Sequence, residues 1–276
     1  MLLALDVGNT NTVLALFKLN ADAPAELLAN WRITTRHNQT SDEYGMMLHD
    51  LFALQQIKVD AVTAIIISSV VPPIDSALRQ VCERFFKIKP LFVEPGVKTG
   101  LPVLVDNPSE VGADRIVNCV AAYERFGGPC IVVDMGTATT FDVISKRGEF
   151  VGGAIAPGLG IAADALFEHA ARLPRVDVKR PPKVVGTNTT DNIQIGLYYG
   201  YIGLVDGILE RLLAETGPET KLVATGGLAR LIAGGSKYLS EVDPMLTLTG
   251  LRIIYERNAD RGRKRTAGGN GAATPA

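Results

Sequence analysis

One local pattern occurs twice in this chain, and it constrains the fold more than any other feature. The first copy, residues 2–17, is an apolar segment, then Asp6-Val-Gly-Asn-Thr-Asn-Thr, then a second apolar segment. The second copy, residues 131–144, has the same plan around Asp134-Met-Gly-Thr-Ala-Thr-Thr. Each copy predicts two short buried strands joined by a polar turn, a β-hairpin. Nearly half of the 276-residue chain separates Asp6 from Asp134, so the pattern predicts a duplicated domain.

The polar turn of the first copy has the composition of a phosphate site. Gly8 lets the backbone approach a ligand closely because it has no Cβ, and residues 9–12 add side-chain donors to the backbone N–H groups. Such a surface suits a triphosphate. Asp6, at the end of the first strand, is placed to hold a hydrated Mg²⁺. Taken alone, the stretch is equally typical of an ordinary hairpin, but the second copy favours a nucleotide held between two similar halves.

Composition argues against several classes of protein. Lys and Arg number 28 against 29 Asp and Glu, so the chain lacks the basic excess of a nucleic-acid-binding domain. No stretch approaches the roughly 18 uninterrupted apolar residues of a membrane span. The cysteines, Cys82, Cys119 and Cys130, are odd in number and show no CxxC spacing, which is typical of a reducing cytosol. We therefore expect a cytoplasmic protein that binds neither nucleic acid nor a membrane.

The remaining segments predict strands that alternate with helices, and therefore an α/β fold. Further strands are predicted at 27–34, 62–68, 91–93, 150–156 and 222–225. Helices are predicted to follow the N-caps Ser41 and Ser109, and to begin near Pro72, after Gly160, at Thr189 and at Gly226-Gly227. We place a first domain at 1–117 and a second, which carries dimerisation helices, at 118–256. From Arg257 onward the sequence is basic without periodicity, so we expect a disordered tail over 257–276.

A third constellation lies at Gly112-Ala-Asp-Arg115. Gly112 and Ala113 leave room for a small substrate at the start of a predicted helix. We expect the neighbouring Arg115 cation to keep Asp114 ionised at neutral pH, so that Asp114 could accept the proton of an alcohol during phosphoryl transfer. An acid favoured by the helix dipole, or a surface ion pair, explains the same residues without a function.

Five motifs occur in order along the chain. They are residues 6–12, 112–115, 134–140, 152–159 and Asn188-Thr189 followed by Gln194-x-Gly196. Together they resemble type III pantothenate kinase, a family of the actin and hexokinase superfamily, over roughly residues 1–256. The resemblance implies an α/β fold of duplicated ribonuclease H-like (actin-like ATPase) domains, with mixed sheets flanked by helices. It also implies phosphorylation of the 4′-hydroxyl of pantothenate by ATP, the first step of coenzyme A synthesis.

Carried over position by position, the resemblance implies a role for each matching residue. Asp114 is the catalytic base. ATP is bound by Asp6, Val7, Gly8, Asn9, Thr10, Asn11, Thr12, Val13 and Thr137. Pantothenate is bound by Val105, Gly112, Ala113, Asp114, Arg115 and Thr189, where Val105 stands at a position that is Tyr in many members. Asp134 holds K⁺ or NH₄⁺, and Asp6 holds Mg²⁺ or another divalent cation through water. Members of the family are cytoplasmic homodimers.

Two other functions stay open at this stage. Another small-molecule kinase of the same superfamily, such as a sugar kinase, would have the same hairpins, although the motifs at 112–115 and 152–159 argue against it. A non-enzymatic regulator related to the Bvg accessory factors would share much of the pattern. The presence of Asp6, Asp114, Asp134 and Thr189 favours a working kinase. The three histidines lack ligand spacing, and no P-loop motif occurs.

Overall fold

The chain folds into two units. The computed structural model describes residues 1–20 and 23–267, with side chains described as far as residue 259. The first unit consists of residues 1–100, 109–120 and the chain from Thr247 onward, and the second consists of residues 101–108 and 121–246. The predicted boundary at residue 117 is therefore wrong in two places, because the C-terminal helix belongs to the first unit and residues 101–108 belong to the second.

The first unit is built on a five-stranded mixed sheet. Its strands are β1 (Leu2–Val7), β2 (Asn11–Lys18), β3 (Glu26–Thr34), β4 (Ala64–Ser69) and β5 (Leu91–Phe92). Their order in the sheet is β3-β2-β1-β4-β5. β1 and β2 form the predicted antiparallel hairpin, whereas β4 runs parallel to β1. The polar turn of the first motif thus lies at the end of a central strand.

Two helices cover one face of this sheet. They are α1 (Ser41–Leu54) and α2 (Pro72–Phe85). Leu3, Leu5 and Val7 of β1 pack into a core with residues of both helices, among them Phe52 and Leu78. Because side chains alternate along a strand, the remaining residues of β1, including Asp6, point to the other face. Burial of the alternate apolar residues therefore determines which way Asp6 faces.

Helix α1 begins one residue earlier than predicted, with a capping box. The Thr40 Oγ1 atom accepts a hydrogen bond from the Glu43 backbone N–H at 3.3 Å, and the Thr40 N–H donates to Glu43 Oε2 at 2.7 Å. These reciprocal bonds satisfy two donors at the helix start. The N-cap is therefore Thr40, and the predicted cap Ser41 is the first residue of the helix.

The second unit repeats the hairpin plan. Its strands are β6 (Cys130–Met135), β7 (Ala138–Ile144), β8 (Phe150–Pro157) and β9 (Lys221–Thr225), and their order in the sheet is β8-β7-β6-β9. β6 pairs antiparallel with β7 and parallel with β9, as β1 does with β2 and β4. This repeated topology confirms the predicted duplication. Phe141 of β7 and Val205 of the long helix α5 (Thr189–Thr216) belong to one buried core.

Helix α3 (Ala113–Phe126) begins later than predicted. A short 3₁₀ turn at Pro108–Glu110 occupies the expected start at Ser109. The Ile116 N–H donates to the Gly112 carbonyl at 3.3 Å, in the first turn of the helix. The motif at 112–115 therefore forms the N-terminus of α3 itself, and the α3 dipole acts on Asp114.

The predicted disorder from Arg257 is wrong for the described residues, because helix α7 extends over Leu246–Ala267. Polar side chains fix it within the first unit. Thr247 Oγ1 donates to Asn118 Oδ1 at 2.7 Å, Asn258 Nδ2 donates to the Lys98 carbonyl at 3.0 Å, and the Arg257 guanidinium donates to the Thr99 carbonyl. The rest of the predicted tail, residues 268–276, lies outside the described residues.

The second unit also contains helices α4 (Leu159–His169) and α6 (Ala229–Ala233). Helix α6 has five residues and does not begin at Gly226-Gly227 as predicted, since its N-cap is Leu228. So short a helix has only a small dipole, and the predicted nucleotide contact at its N-terminus loses its physical basis.

Candidate active site

The turn between β1 and β2 is held rigidly by a threonine outside the motif. Thr35 Oγ1 donates to the Gly8 carbonyl at 2.7 Å, and the Thr35 N–H donates to the Thr10 carbonyl at 3.0 Å. The Thr12 and Thr35 hydroxyls are 2.9 Å apart, and Thr12 is the donor because the single Thr35 hydroxyl proton is directed to Gly8. Asn9 and Thr10 are exposed at the tip of this turn. The turn is therefore a preformed polar surface.

This arrangement changes the roles expected for Val7, Thr12 and Val13, which were predicted to bind ATP. Thr12 is only 1% exposed and its hydroxyl supports the turn, so it does not present a side-chain donor to a ligand. Val7 is buried beneath the turn, and Val13 pairs with Asp6 across the hairpin. These residues shape the turn through their backbone. Thr35 escaped the sequence analysis because it lies 23 residues beyond Thr12, and only the pairing of β3 with β2 brings it close.

Asp6 lies half-buried near the end of β1, beside Ser68 of β4. Within residues 1–20 and 23–259, no group of three or more His, Cys, Asp or Glu side chains is gathered as a metal site. Proteins commonly hold Mg²⁺ through one or two carboxylates, substrate phosphates and retained waters. Asp6 places one such carboxylate beside the preformed polar turn, an arrangement compatible with a Mg²⁺–ATP complex.

Asp114 is half-buried in the first turn of α3, and its carboxylate is closely enclosed. Its Oδ1 atom accepts a hydrogen bond from the Arg115 backbone N–H at 2.8 Å. A Cβ at Gly112 would lie 2.5 Å from this oxygen and 3.7 Å from Val70 Cγ1. Glycine at 112 therefore leaves the Asp114 carboxylate the space that a side chain would take.

Burial raises the pKa of Asp114 above its ordinary value, despite the opposing effects of the Arg115 N–H and the Arg115 charge. The Arg115 charge acts in the expected direction, but burial has the larger effect on the pKa, and ionisation of Asp114 at neutral pH stays a prediction. Sequence shows the neighbouring cation, but it does not show how much water the fold removes from the carboxylate. A general base works best when its pKa lies near the operating pH, so the raised pKa favours proton acceptance.

A short chain of contacts connects the start of α3 with the turn after β1. Val70 follows β4, and its backbone N–H donates to the Val7 carbonyl at 3.0 Å. The Val70 side chain also borders the space beside Gly112. The structure therefore brings the first and third motifs together within the first unit, through a residue that the sequence analysis did not single out.

In the second unit, the Asp134 carboxylate packs against a glycine at the end of β9. Gly226 has φ of +94°, and a Cβ there would lie 2.6 Å from Asp134 Oδ1. Both the left-handed backbone and the close contact favour glycine. Asp134 lies beside Thr225 of β9 and opposite Thr140 of β7. The carboxylate is thus half-buried in a fixed position between two strands.

The second polar turn contains Thr137, whose side chain is exposed. Its carbonyl accepts a hydrogen bond from the Gly158 N–H at 3.2 Å, which attaches the turn to the start of α4. Behind the turn, the buried hydroxyls of Thr139 and Tyr201 hydrogen-bond to each other. Tyr201 lies in α5. It ties that helix to the strand that follows the turn.

Thr189 and Val105 occupy other parts of the second unit. Thr189, the first residue of α5, lines an open pocket of about 420 Å³ together with Leu166, Leu173, Asn192, Ile193, Gly196 and Leu197. Val105 follows a segment that pairs with Phe150 of β8, and its Cγ1 atom is 4.0 Å from the position of a Cβ at Gly152. Thr189 therefore combines an exposed hydroxyl with a mainly apolar pocket.

Comparison with known proteins decides which family these motifs represent. A family model described as type III pantothenate kinase matches residues 2–211. The chain belongs to the type III pantothenate kinase family. The type III pantothenate kinase of Koribacter versatilis is 62% identical over 276 residues, which cover 97% of this chain and 100% of the relative. That of Acidobacterium capsulatum is 58% identical and covers 99% of this chain and 100% of the relative. The predicted family and enzyme class, a phosphotransferase, are confirmed.

Solved structures support the fold. A Campylobacter jejuni protein described as a conserved Baf family transcriptional activator matches with a TM-score of 0.57 and 21% identity, covering 94% of this chain and 99% of that one. Component A of (R)-2-hydroxyglutaryl-CoA dehydratase from Acidaminococcus fermentans matches with a TM-score of 0.51 and 13% identity, covering 93% and 98%. At such identities the likeness concerns the fold alone, and the predicted actin-like ATPase fold is confirmed.

No helix among the described residues is both long enough and apolar enough to cross a bilayer.

Proposed function

We propose that this protein transfers the γ-phosphoryl group of ATP to the 4′-hydroxyl of pantothenate and so catalyses the first step of coenzyme A synthesis. The observation that carries the proposal is the environment of Asp114. Its carboxylate is enclosed at the N-terminus of α3, its pKa is raised by burial, and Val70 connects its surroundings to the phosphate-type turn. A base and a phosphate site in one unit are what an alcohol kinase requires.

In this proposal Asp114 is the general base. The hydroxyl oxygen of pantothenate forms a bond to the γ-phosphorus while its proton passes to an Asp114 oxygen. The bond between the γ-phosphorus and the β,γ-bridging oxygen breaks, and ADP leaves. Gly112, Ala113 and Arg115 line the approach to the base. Catalysis then depends on alignment and on charge stabilisation rather than on covalent chemistry by the protein.

The turn after β1 would hold the phosphates of ATP, with backbone and side-chain donors of Gly8, Asn9, Thr10 and Asn11. A divalent cation bound with ATP would offset phosphate charge, and Asp6 would hold it through water. The support for this assignment is the rigidity of the turn, because Thr35 fixes two of its carbonyl groups. Donors that are already in place need no reorganisation when the charge on the phosphates shifts.

The second unit carries the other residues to which we assign substrate and cation contacts. Thr189 would contact pantothenate, whose apolar and amide-containing chain suits a mainly apolar pocket with one hydroxyl at its rim. Val105 would replace a polar Tyr contact with an apolar one. Thr137 would contact ATP, and Asp134 would hold K⁺ or NH₄⁺. The contact of Gly226 with Asp134 supports the last role, because it fixes the carboxylate in place.

We further propose a homodimer formed through helix α5. The buried residues of this helix, such as Ile202 and Val205, pack into the core of their own unit, so they are not available to a second copy. Its exposed face instead carries Gly196, Gly200 and Gly203, where an added Cβ would meet nothing within 4 Å. Glycine lowers helix stability by about 1 kcal/mol relative to alanine, and close approach of a second helix would explain its use here.

The enzymatic proposal is tested by measuring ADP release by the purified protein with pantothenate and with a panel of sugars. We expect turnover with pantothenate, and a fall in kcat of about 10²–10⁴-fold in Asp114→Asn, the usual scale for a lost general base. Turnover with a sugar alone would identify a sugar kinase. Absence of turnover with every substrate would favour the non-enzymatic regulator. We place the reaction in the cytoplasm, where the free cysteines would stay reduced.

A further inference from the structure

A hydroxyl beside Asp6 has no part in the site described so far. Ser68 of β4 lies directly beside Asp6 in the parallel register of β1 and β4. Leu5 and Val7 on either side of Asp6, and Ile67 before Ser68, all point into the core beneath α1 and α2. Since side chains alternate along a strand, Asp6 and Ser68 both point to the opposite face of the sheet.

The Ser68 side chain is fully buried, and its hydroxyl has no hydrogen-bond partner within the described chain. Leaving a buried hydroxyl without a partner is unfavourable. The earlier residues of β4 on the same face are Ala64 and Ile66, so this face is otherwise apolar along β4. An alanine at 68 would avoid the unfavourable burial. The hydroxyl therefore points to a ligand-bound state in which it gains a partner.

We propose that Ser68 is a positioning residue for the divalent cation that accompanies ATP. The inference rests on the proposed role of Asp6. A water held by a divalent cation donates a proton to Asp6. The Ser68 hydroxyl is closed off from water, and in the ligand-bound state it donates to the Asp6 carboxylate and so fixes the orientation of the group that holds the water. Groups that orient a metal-binding residue by hydrogen bonding commonly affect the affinity of a protein for its metal.

The neighbouring serine provides a matched control. Ser69 Oγ donates to Asp75 Oδ1 at 2.6 Å and accepts from the Val71 N–H at 3.2 Å. Its hydroxyl therefore has partners in the folded chain and stabilises the start of α2. Replacing Ser69 with alanine removes a hydroxyl from the same strand, but it does so at a site with a purely structural role.

The experiment measures Mn²⁺ binding by electron paramagnetic resonance, in the presence of a non-hydrolysable ATP analogue. We expect Ser68→Ala to weaken Mn²⁺ binding by about 10–100-fold, the usual effect of losing an outer-shell group, without lowering the melting temperature. Ser69→Ala should lower the melting temperature and leave Mn²⁺ affinity unchanged. Ser68→Cys keeps the shape with a weaker hydrogen-bonding group, so its affinity should be intermediate. It also provides the measurement if Ser68→Ala does not fold.

Asp6→Asn, measured in the same way, separates the two proposals. Weaker Mn²⁺ binding in both Asp6→Asn and Ser68→Ala supports the inference. Weaker binding in Asp6→Asn, with the parent affinity in Ser68→Ala and Ser68→Cys, overturns the role of Ser68 and leaves that of Asp6 standing. Unchanged binding in Asp6→Asn overturns both. Equal loss of affinity in Ser69→Ala and Ser68→Ala would show a general structural effect and would also overturn the role of Ser68.

Discussion

Replacing Gly112 with alanine tests whether the position of the Asp114 carboxylate limits the reaction. The added Cβ would lie 2.5 Å from Asp114 Oδ1, closer than atoms can approach without repulsion. The carboxylate must therefore move, because Val70 also borders the space and the backbone at 112 belongs to the first turn of α3. The substitution leaves the chemistry of the base intact and changes only its place.

The geometry gives the expected magnitude. Ordinary contact between a Cβ and an oxygen begins near 3.4 Å, so the carboxylate must move by roughly 1 Å, and a misplacement of about 1 Å can cost on the order of 10²-fold in rate. The hydrogen bond from the Arg115 N–H would lengthen as well. Such a bond contributes about 1 kcal/mol to stability, so the protein should remain folded. We expect kcat to fall about 10²-fold.

The assay is ADP release at saturating ATP and pantothenate, together with thermal unfolding. Gly207→Ala is the matched control, because it adds the same methyl group in α5, where the nearest atom is a flexible Arg211 nitrogen at 3.6 Å. It should keep full activity with an unchanged or raised melting temperature, since alanine favours helix. A folded Gly112→Ala protein with the parent kcat would refute the argument that the Asp114 position is critical.

Three further predictions concern pH, cations and assembly. Because burial raises the pKa of Asp114, its ionisation lowers the free energy of unfolding as pH rises through that pKa. In denaturant unfolding, Asp114→Asn should therefore be as stable as the parent below about pH 4 and more stable than the parent at neutral pH. Equal stability of the two proteins at both pH values would contradict the raised pKa. Activity should increase when K⁺ or NH₄⁺ replaces Na⁺, and Asp134→Asn should lose this response; equal rates in Na⁺ and K⁺ for the parent would exclude the cation role. Gly200→Arg should give a folded monomer by light scattering, whereas an unchanged dimer would place the interface elsewhere.

The parts of the fold that were predictable are those that depend on local pattern. Apolar runs on either side of a polar turn in 2–17 and 131–144 predicted both hairpins, and the long helix from Thr189 followed from its spacing of apolar residues. Helix α7 was not predicted, and its anchors near Arg257 are hydrogen bonds to residues about 160 positions away, Lys98 and Thr99. No local signal carries such long-range contacts. The same limit applies to Thr35 and Val70, which support the site from distant parts of the chain.

The site residues show where sequence chemistry falls short. Asp114 and Arg115 are adjacent, so the sequence shows the charge that favours ionisation, yet the pKa depends on a balance between charge and burial that only the fold determines. Thr12 looked like a ligand donor, but its hydroxyl is committed to Thr35. A motif identifies which residues gather at a site. It does not show which of their atoms can still bind a ligand once the chain has folded.

The duplicated hairpins present their aspartates in different surroundings, and this difference bears on which cation each can hold. Asp6 lies beside Ser68 and Asp134 beside Thr225, so each carboxylate has a hydroxyl residue next to it on the neighbouring parallel strand. Beside Asp134, however, Gly226 leaves no room for a side chain, because a Cβ there would lie 2.6 Å from Asp134 Oδ1. A hydrated Mg²⁺ usually keeps several waters and therefore needs space. We therefore propose that the same strand plan suits a water-mediated divalent site at Asp6 and a direct monovalent site at Asp134.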